Sequence, residues 1–149
     1  MSDIYPKSKR SDIMSKITGK ETVPEILVRK FLFSKGLRFR KNVKGLPGKP
    51  DIVLPKYKTA VFIHGCFWHG HSCKRGALPK TNYEFWQEKI GKNIERDVRH
   101  ISELQVSGWN VIIVWQCEIQ NKEDRNTRLN KLIEEIHQAH NICNSQDLF

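Results

Sequence analysis

Thr59-Ala60-Val61-Phe62-Ile63-His64-Gly65-Cys66-Phe67-Trp68-His69-Gly70-His71-Ser72-Cys73 changes character at Gly65. The residues up to His64 carry no acid or base of fixed charge and are rich in β-branched and aromatic side chains, which reads as a short buried strand. From Gly65 to Lys80 the chain fits neither the helical nor the strand period, while Gly, His, Cys and aromatics crowd together. Something other than backbone pattern must order that segment, and it holds the expected chemistry.

Working upstream, Pro55 to Lys58 reads as a turn, Asp51 to Leu54 as a strand, Lys41 to Pro50 as a Gly- and Pro-containing loop, and Leu37 to Arg40 as an earlier strand. Thr22 and Glu25 form a capping-box pattern, Pro24 suits a first turn and Gly36 a stop, so a helix is expected between them. Downstream, Thr81 and Glu84 give a second capping box. The helix it opens runs to Gly108 with Ile90, Ile94, Val98, Ile101 and Leu104 on one face and Gly91 as a weak spot. Trp109 to Trp115 reads as a strand buried on both faces, and Asp124 to His140 as a last helix with Leu129, Leu132, Ile133 and Ile136 in step. The order α-β-β-β-α-β-α implies an α/β fold, a mixed central sheet flanked by helices.

A chain of 149 residues suits one domain, 1–149, with a basic arm over 1–19 carrying Lys7, Lys9 and Arg10 and a polar tail over 141–149. Cys143, in that tail, is expected to be a free thiol. No window approaches an apolar membrane span and the first residues lack a signal-peptide pattern, so a cytoplasmic protein without a membrane partner is expected. The net charge of +10 points to a polyanion. Between Ile26 and Tyr83 thirteen Lys and Arg face a single acid, Asp51. Nucleic-acid contact explains that imbalance better than a merely solvated face.

Cys66, His71, Cys73 and Cys117 supply three thiolates and an imidazole, a donor set suited to tetrahedral zinc. Spacing alone leaves His64 or His69 open as the fourth ligand. Asp51 opens one strand and His64 closes the next, so a hairpin can bring them to one rim of the sheet. A carboxylate there can hold Mg²⁺ beside a phosphodiester, and a nearby imidazole can move a proton. Asp97 falls at the edge of an apolar helix face, where a carboxylate needs a partner. Glu25 reads first as the capping acid of its helix. Phe67 and Trp68 in the irregular loop, with Trp86 on the following helix, can wedge between base steps, whereas Trp109 and Trp115 read as core.

The run from Phe62 to His69, with His71 and Cys73, resembles the signature loop of the very short patch repair (Vsr) endonucleases. Further similarity lies in Arg10-Ser11, Met14, Ile17, Thr22 and Glu25, in Leu46-Pro47-Gly48 with Pro50-Asp51, and in Phe85-Trp86. It continues through Lys89 to Asn93, Arg96-Asp97, Gly108-Trp109 and Val114-Trp115 before Cys117. The resemblance implies a restriction-endonuclease-like fold with a structural zinc site. It also implies a Mg²⁺-dependent enzyme that nicks the thymine strand 5′ of the T in a T·G mismatch left by 5-methylcytosine deamination.

On that resemblance Asp51 and the backbone carbonyl of Ile63 bind Mg²⁺, His69 is the general base, His64 assists at the phosphate, and Glu25 and Asp97 hold waters or orient partners. Cys66, His71, Cys73 and Cys117 hold zinc, and Phe67, Trp68 and Trp86 intercalate beside the mispair. Partners would be mismatched double-stranded DNA and downstream repair polymerase, ligase and mismatch-repair proteins, with the enzyme a monomer. Two features depart from the family pattern: Ile63 stands where threonine is common, and Gly70 and Ser72 interrupt a more continuous histidine run. The competing readings are a restriction-type endonuclease cutting both strands and a zinc-organised DNA-binding module without catalysis.

Overall fold

The computed structural model describes residues 22–147, with side chains as far as residue 139. The basic arm with Lys7, Lys9 and Arg10, and the side chain of Cys143, lie outside the described residues. Helix α1 spans Val23–Ser34. Strands β1, Arg40–Lys41, and β2, Ile52–Leu54, follow, then a 3-10 turn at Pro55–Tyr57 and strand β3, Thr59–His64. Helix α2, Tyr83–Val106, crosses over to β4, Asn110–Trp115, and a 3-10 turn at Gln116–Ile119 leads into helix α3, Lys122–Asp147. No helix among the described residues is long and apolar enough to cross a membrane.

The sheet order is β1-β2-β3-β4. Strands β1 and β2, and β2 and β3, pair antiparallel, whereas β3 and β4 are parallel. A parallel pair needs a crossover, and α2 supplies it. Alternation along β3 feeds two cores. Val61 and Ile63 pack with Val28 and Leu32 of α1 and Leu129, Leu132 and Ile136 of α3. Ala60 and Phe62 face the other way, against Leu104 of α2, Trp109 and Ile113. His64 continues the second face, so the strand delivers it toward α2.

Several boundaries differ from the sequence expectation. The earliest strand is only Arg40–Lys41, since Arg40 and Lys41 pair with Val53 and Ile52 while Leu37 turns into the core. Neither capping box forms: Thr22 makes no side-chain cap bond, and α2 starts after Asn82, in a left-handed conformation, with Thr81 outside it. Helix α2 is continuous through Gly91. β4 alternates, with Ile112 and Val114 buried and Val111 and Ile113 partly so. Helix α3 continues to Asp147, through most of the stretch expected to be a polar tail.

Candidate active site and metal centre

A cleft of about 750 Å³ opens at the rim where β2, β3 and α2 meet. Glu25, Asp51, His64, Trp68, His69 and Asp97 line it, together with the basic side chains of Lys44, Lys49, Arg96 and His100. The antiparallel β2–β3 pairing matches Ile52 to Val61, which carries Asp51 alongside the end of β3. There the Ile63 N–H donates to Asp51 Oδ2 at 2.7 Å.

Glu25 is 5% exposed on the inner face of α1, in step with Val28, and its carboxyl meets that of Asp51. Burial, then the neighbouring Asp51, pushes Glu25 up to about 7. Asp51 is likewise raised, chiefly by burial, against the Ile63 N–H bond that favours its charged form. The positive charge of Arg29 favours the ionised form of both carboxyls but does not offset their burial and mutual repulsion, and a hard divalent cation with oxygen ligands fits that donor pair. Glu25 therefore turns into the cleft where the sequence suggested a helix cap.

Asp97, from the middle of α2, finds the partner its position requires: His69 Nδ1 lies 2.6 Å from its Oδ2. A carboxylate only accepts, so Nδ1 carries the proton and the other ring nitrogen of His69 is left as a base. His64 stacks on the same ring at 3.8 Å between centroids. Burial, then His69, holds His64 down to about 4, and its Nδ1 is buried without a hydrogen bond among the described residues.

The second cluster sits behind the first. Cys66, His71, Cys73 and Cys117 bring one ligand atom each to within 4.8 Å of one another. This chooses His71 over His64 and His69, which face the cleft. His71 Nδ1 and Cys117 Sγ are 3.5 Å apart. Tetrahedral zinc, with bonds of about 2.3 Å to sulfur and 2.0 Å to nitrogen, sets that edge at about 3.5 Å, so the donors fit the ion in type and spacing. Burial and the neighbouring thiols push Cys117 up to about 12. For Cys73, burial raises the thiol, but hydrogen bonds from His71, Cys66 and the Arg75 and Gly76 backbone together outweigh it and bring it down to about 6. A crowd of thiols divided in this way cannot ionise together without a cation.

The loop between the clusters is packed by small residues. Gly70 has φ +66°, and a Cβ there would stand 2.4 Å from Cδ1 of Ile94. A Cβ on Gly76 would meet the His71 carbonyl oxygen at 1.8 Å. The interruption of the histidine run at Gly70 is thus matched by Ile94 pressing on the loop.

Phe67, Trp68, Phe85 and Trp86 form an edge-to-face group with centroid separations of 5.1 to 5.9 Å at the cleft mouth. Trp68 is 52% exposed and Phe85 58%. Large exposed aromatics beside a basic cleft can stack on or wedge between bases.

Sequence reasoning missed two side chains. Trp115, read as core, stacks on His71 at 4.1 Å and meets His64 edge-on at 5.2 Å, forming a wall common to both clusters. Nothing in its sequence context distinguishes that role from packing. Arg128 pairs with Glu118 and Glu135 behind the cluster. Its signal was present, because a charged residue in helical step with Leu132 and Ile136 stands on the apolar stripe.

Residues 2–75 match the family model described as DNA mismatch endonuclease Vsr. The chain is 60% identical over 139 residues to the Type II nicking enzyme V.NmeAIP of Neisseria meningitidis serogroup A, covering 93% of this chain and 99% of that one. It is 46% identical over 123 residues to the DNA mismatch endonuclease Vsr of Escherichia coli, covering 83% and 79%. With the Type II nicking enzyme V.XorIIP of Xanthomonas oryzae it shares 42% over 134 residues, 90% and 98% of the two chains.

Proposed function

Given that the chain belongs to the Vsr endonuclease family and is a DNA endonuclease, we propose that it nicks the thymine strand of a T·G mismatch, 5′ of the thymine, in a Mg²⁺-dependent reaction. The observation that carries this reading is the cleft itself, where paired carboxyls face an oriented histidine base beneath an exposed aromatic wedge. Relatives named nicking enzymes support cutting of one strand over the restriction-type alternative.

Asp51 and the Ile63 carbonyl, with Glu25 beside them, would hold Mg²⁺, and Ile63 can serve because a backbone ligand does not depend on a side-chain hydroxyl. Bound there, the ion supplies Lewis acidity at the scissile phosphate. His69, fixed through Nδ1 by Asp97, takes the proton of the attacking water at its free ring nitrogen. Neutral His64, stacked on His69 at the cleft wall, would assist at the phosphate. Trp68, with Phe67 and Trp86 behind it, wedges into the duplex, and a T·G pair is favoured because it is easier to unstack and kink than a matched pair. Zinc on Cys66, His71, Cys73 and Cys117 would fix the loop that carries His69 and Trp68. Lys7, Lys9 and Arg10 would follow the phosphate backbone. We read the chain as one restriction-endonuclease-like domain acting as a monomer.

The test is strand-resolved cleavage of labelled duplexes carrying T·G, T·A or C·G at one position, with Mg²⁺ or EDTA. A Mg²⁺-dependent nick only in the thymine strand of T·G is expected. Cutting of both strands in matched duplex moves the reading to a restriction enzyme, and binding without cutting moves it to a non-catalytic module.

A further inference from the structure

Arg128 is only 11% exposed, although it stands on the stripe of α3 that otherwise presents Leu132 and Ile136 to the core. Its guanidinium reaches three elements. Nε pairs with Glu118 Oε2 at 3.1 Å, one terminal nitrogen donates to Glu135 Oε1 at 2.8 Å, and the other donates to the Ile113 carbonyl of β4 at 3.1 Å. The second oxygen of Glu118 accepts the Trp115 N–H at 2.8 Å. Cys117 lies between Trp115 and Glu118, so both of its flanks are tied through one carboxylate to one guanidinium.

An arginine sunk in an apolar stripe and paired with carboxylates that are 34% and 31% exposed is a poor way to gain stability, because its desolvation and the screening of its partners offset most of the attraction. What the planar fork provides is geometry, since it fixes several acceptors at once. Geometry is what this turn needs. Cys66 is fully buried, His71 donates its N–H to the Cys66 carbonyl and Cys73 is closed in by the Gly76 N–H. Cys117 alone arrives from a distant segment, on a short 3-10 turn with few ladder bonds of its own.

We propose that Arg128, acting through Glu118, is a positioning residue for the metal centre: it holds Cys117 at bonding distance and sets Trp115 against His71. The inference rests on the zinc reading of the four-residue cluster. Outer residues of this kind typically change metal affinity by about 10- to 100-fold.

The test uses the full chain. Metal content of the wild-type protein and the thiolate charge-transfer absorption of its Co²⁺-substituted form examine the zinc reading. Zinc release to a chelating dye is then compared in wild type, Arg128→Met, Arg128→Lys, Glu118→Gln and Ile136→Ala. The clamp predicts release about tenfold or more faster in Arg128→Met, partial rescue in Arg128→Lys, an altered Co²⁺ spectrum in Glu118→Gln, and wild-type release from folded Ile136→Ala despite its lower melting temperature. If Arg128→Met does not fold, Arg128→Lys and Glu118→Gln decide by the same readouts. Metal-loaded wild type with unchanged release in the clamp variants overturns the clamp alone, as does release that merely follows melting temperature. A wild-type chain that neither carries zinc nor takes up Co²⁺ overturns the zinc reading, and the clamp with it.

Discussion

The imidazole rings of His64 and His69 lie face to face, 3.8 Å between centroids with their planes 4° apart. Nitrogen lone pairs lie in the ring plane, so two parallel stacked rings cannot aim theirs at one ion. On the proposed mechanism the pair handles protons, with Asp97 choosing the ring that receives one.

Asp97→Asn therefore removes the group that fixes the His69 tautomer while leaving the cleft's shape. Single-turnover nicking should fall by about 10²- to 10⁴-fold, as it should in His69→Ala and Asp51→Ala. Mismatch binding, measured by gel shift without Mg²⁺, should persist in all three. Full activity in any one of them removes that residue from its assigned role.

Stability against pH separates the two buried groups that titrate in opposite senses. His64, held at about 4 against an ordinary 6.5, contributes stability that is complete above 6.5 and lost as pH falls toward 4, up to about 3 kcal/mol. Glu25, raised from 4.5 to about 7, contributes stability that is complete below 4.5 and lost as pH rises through 7. In metal-free protein the slopes oppose each other. Urea midpoints of His64→Gln should fall as pH rises from 4.5 to 7, and those of Glu25→Gln should fall as pH drops from 6.5 to 4.

The Glu25 proton also couples to the cation. Below pH 7, Mg²⁺ binding should expel it, so affinity rises with pH and levels off above about 7. Calorimetry in two buffers of different ionisation enthalpy reads the proton directly. Glu25→Gln should bind Mg²⁺ more weakly and release less of it, and identical proton release in the two proteins would place that proton elsewhere.

Trp68 is exposed, so Trp68→Ala should shift stability by less than about 1 kcal/mol. Its effect should appear in the duplex: fluorescence energy transfer across a T·G site should report a smaller bend, with the T·G preference reduced about tenfold or more. An unaltered bend would mean that Trp68 does not wedge.

Gly76→Ala places a methyl where the His71 carbonyl oxygen already stands. The loop must open to accommodate it, and zinc content after purification should drop well below that of wild type. Retention of a full equivalent would show that the loop relaxes without disturbing His71.

The apolar runs made the sheet legible in the sequence, β3 most of all, because a six-residue strand between a turn and a cluster of chemical residues has sharp ends. The Cys and His residues were legible as a group for the same reason. Which histidine joined the cysteines was not, since His64, His69 and His71 lie too close along the chain for spacing to separate them. That choice depends on which face β3 gives His64 and on where the 3-10 turn after β4 brings Cys117. The first capping box failed at Glu25, whose carboxyl meets Asp51, and the second because a left-handed Asn82 takes the cap position after Thr81.

β3 is apolar on both faces, so burial alone discriminates poorly between its native alignment with β4 and one shifted along the strand. His64 is matched to Trp115 at the end of the pairing, and continuing that count two residues further brings Cys66 opposite Cys117. The cysteines thus act as a vernier on the two strands: only the native alignment closes the cluster. A chain that folds out of step by one residue therefore leaves Cys117 away from Cys66, and the four donors never meet.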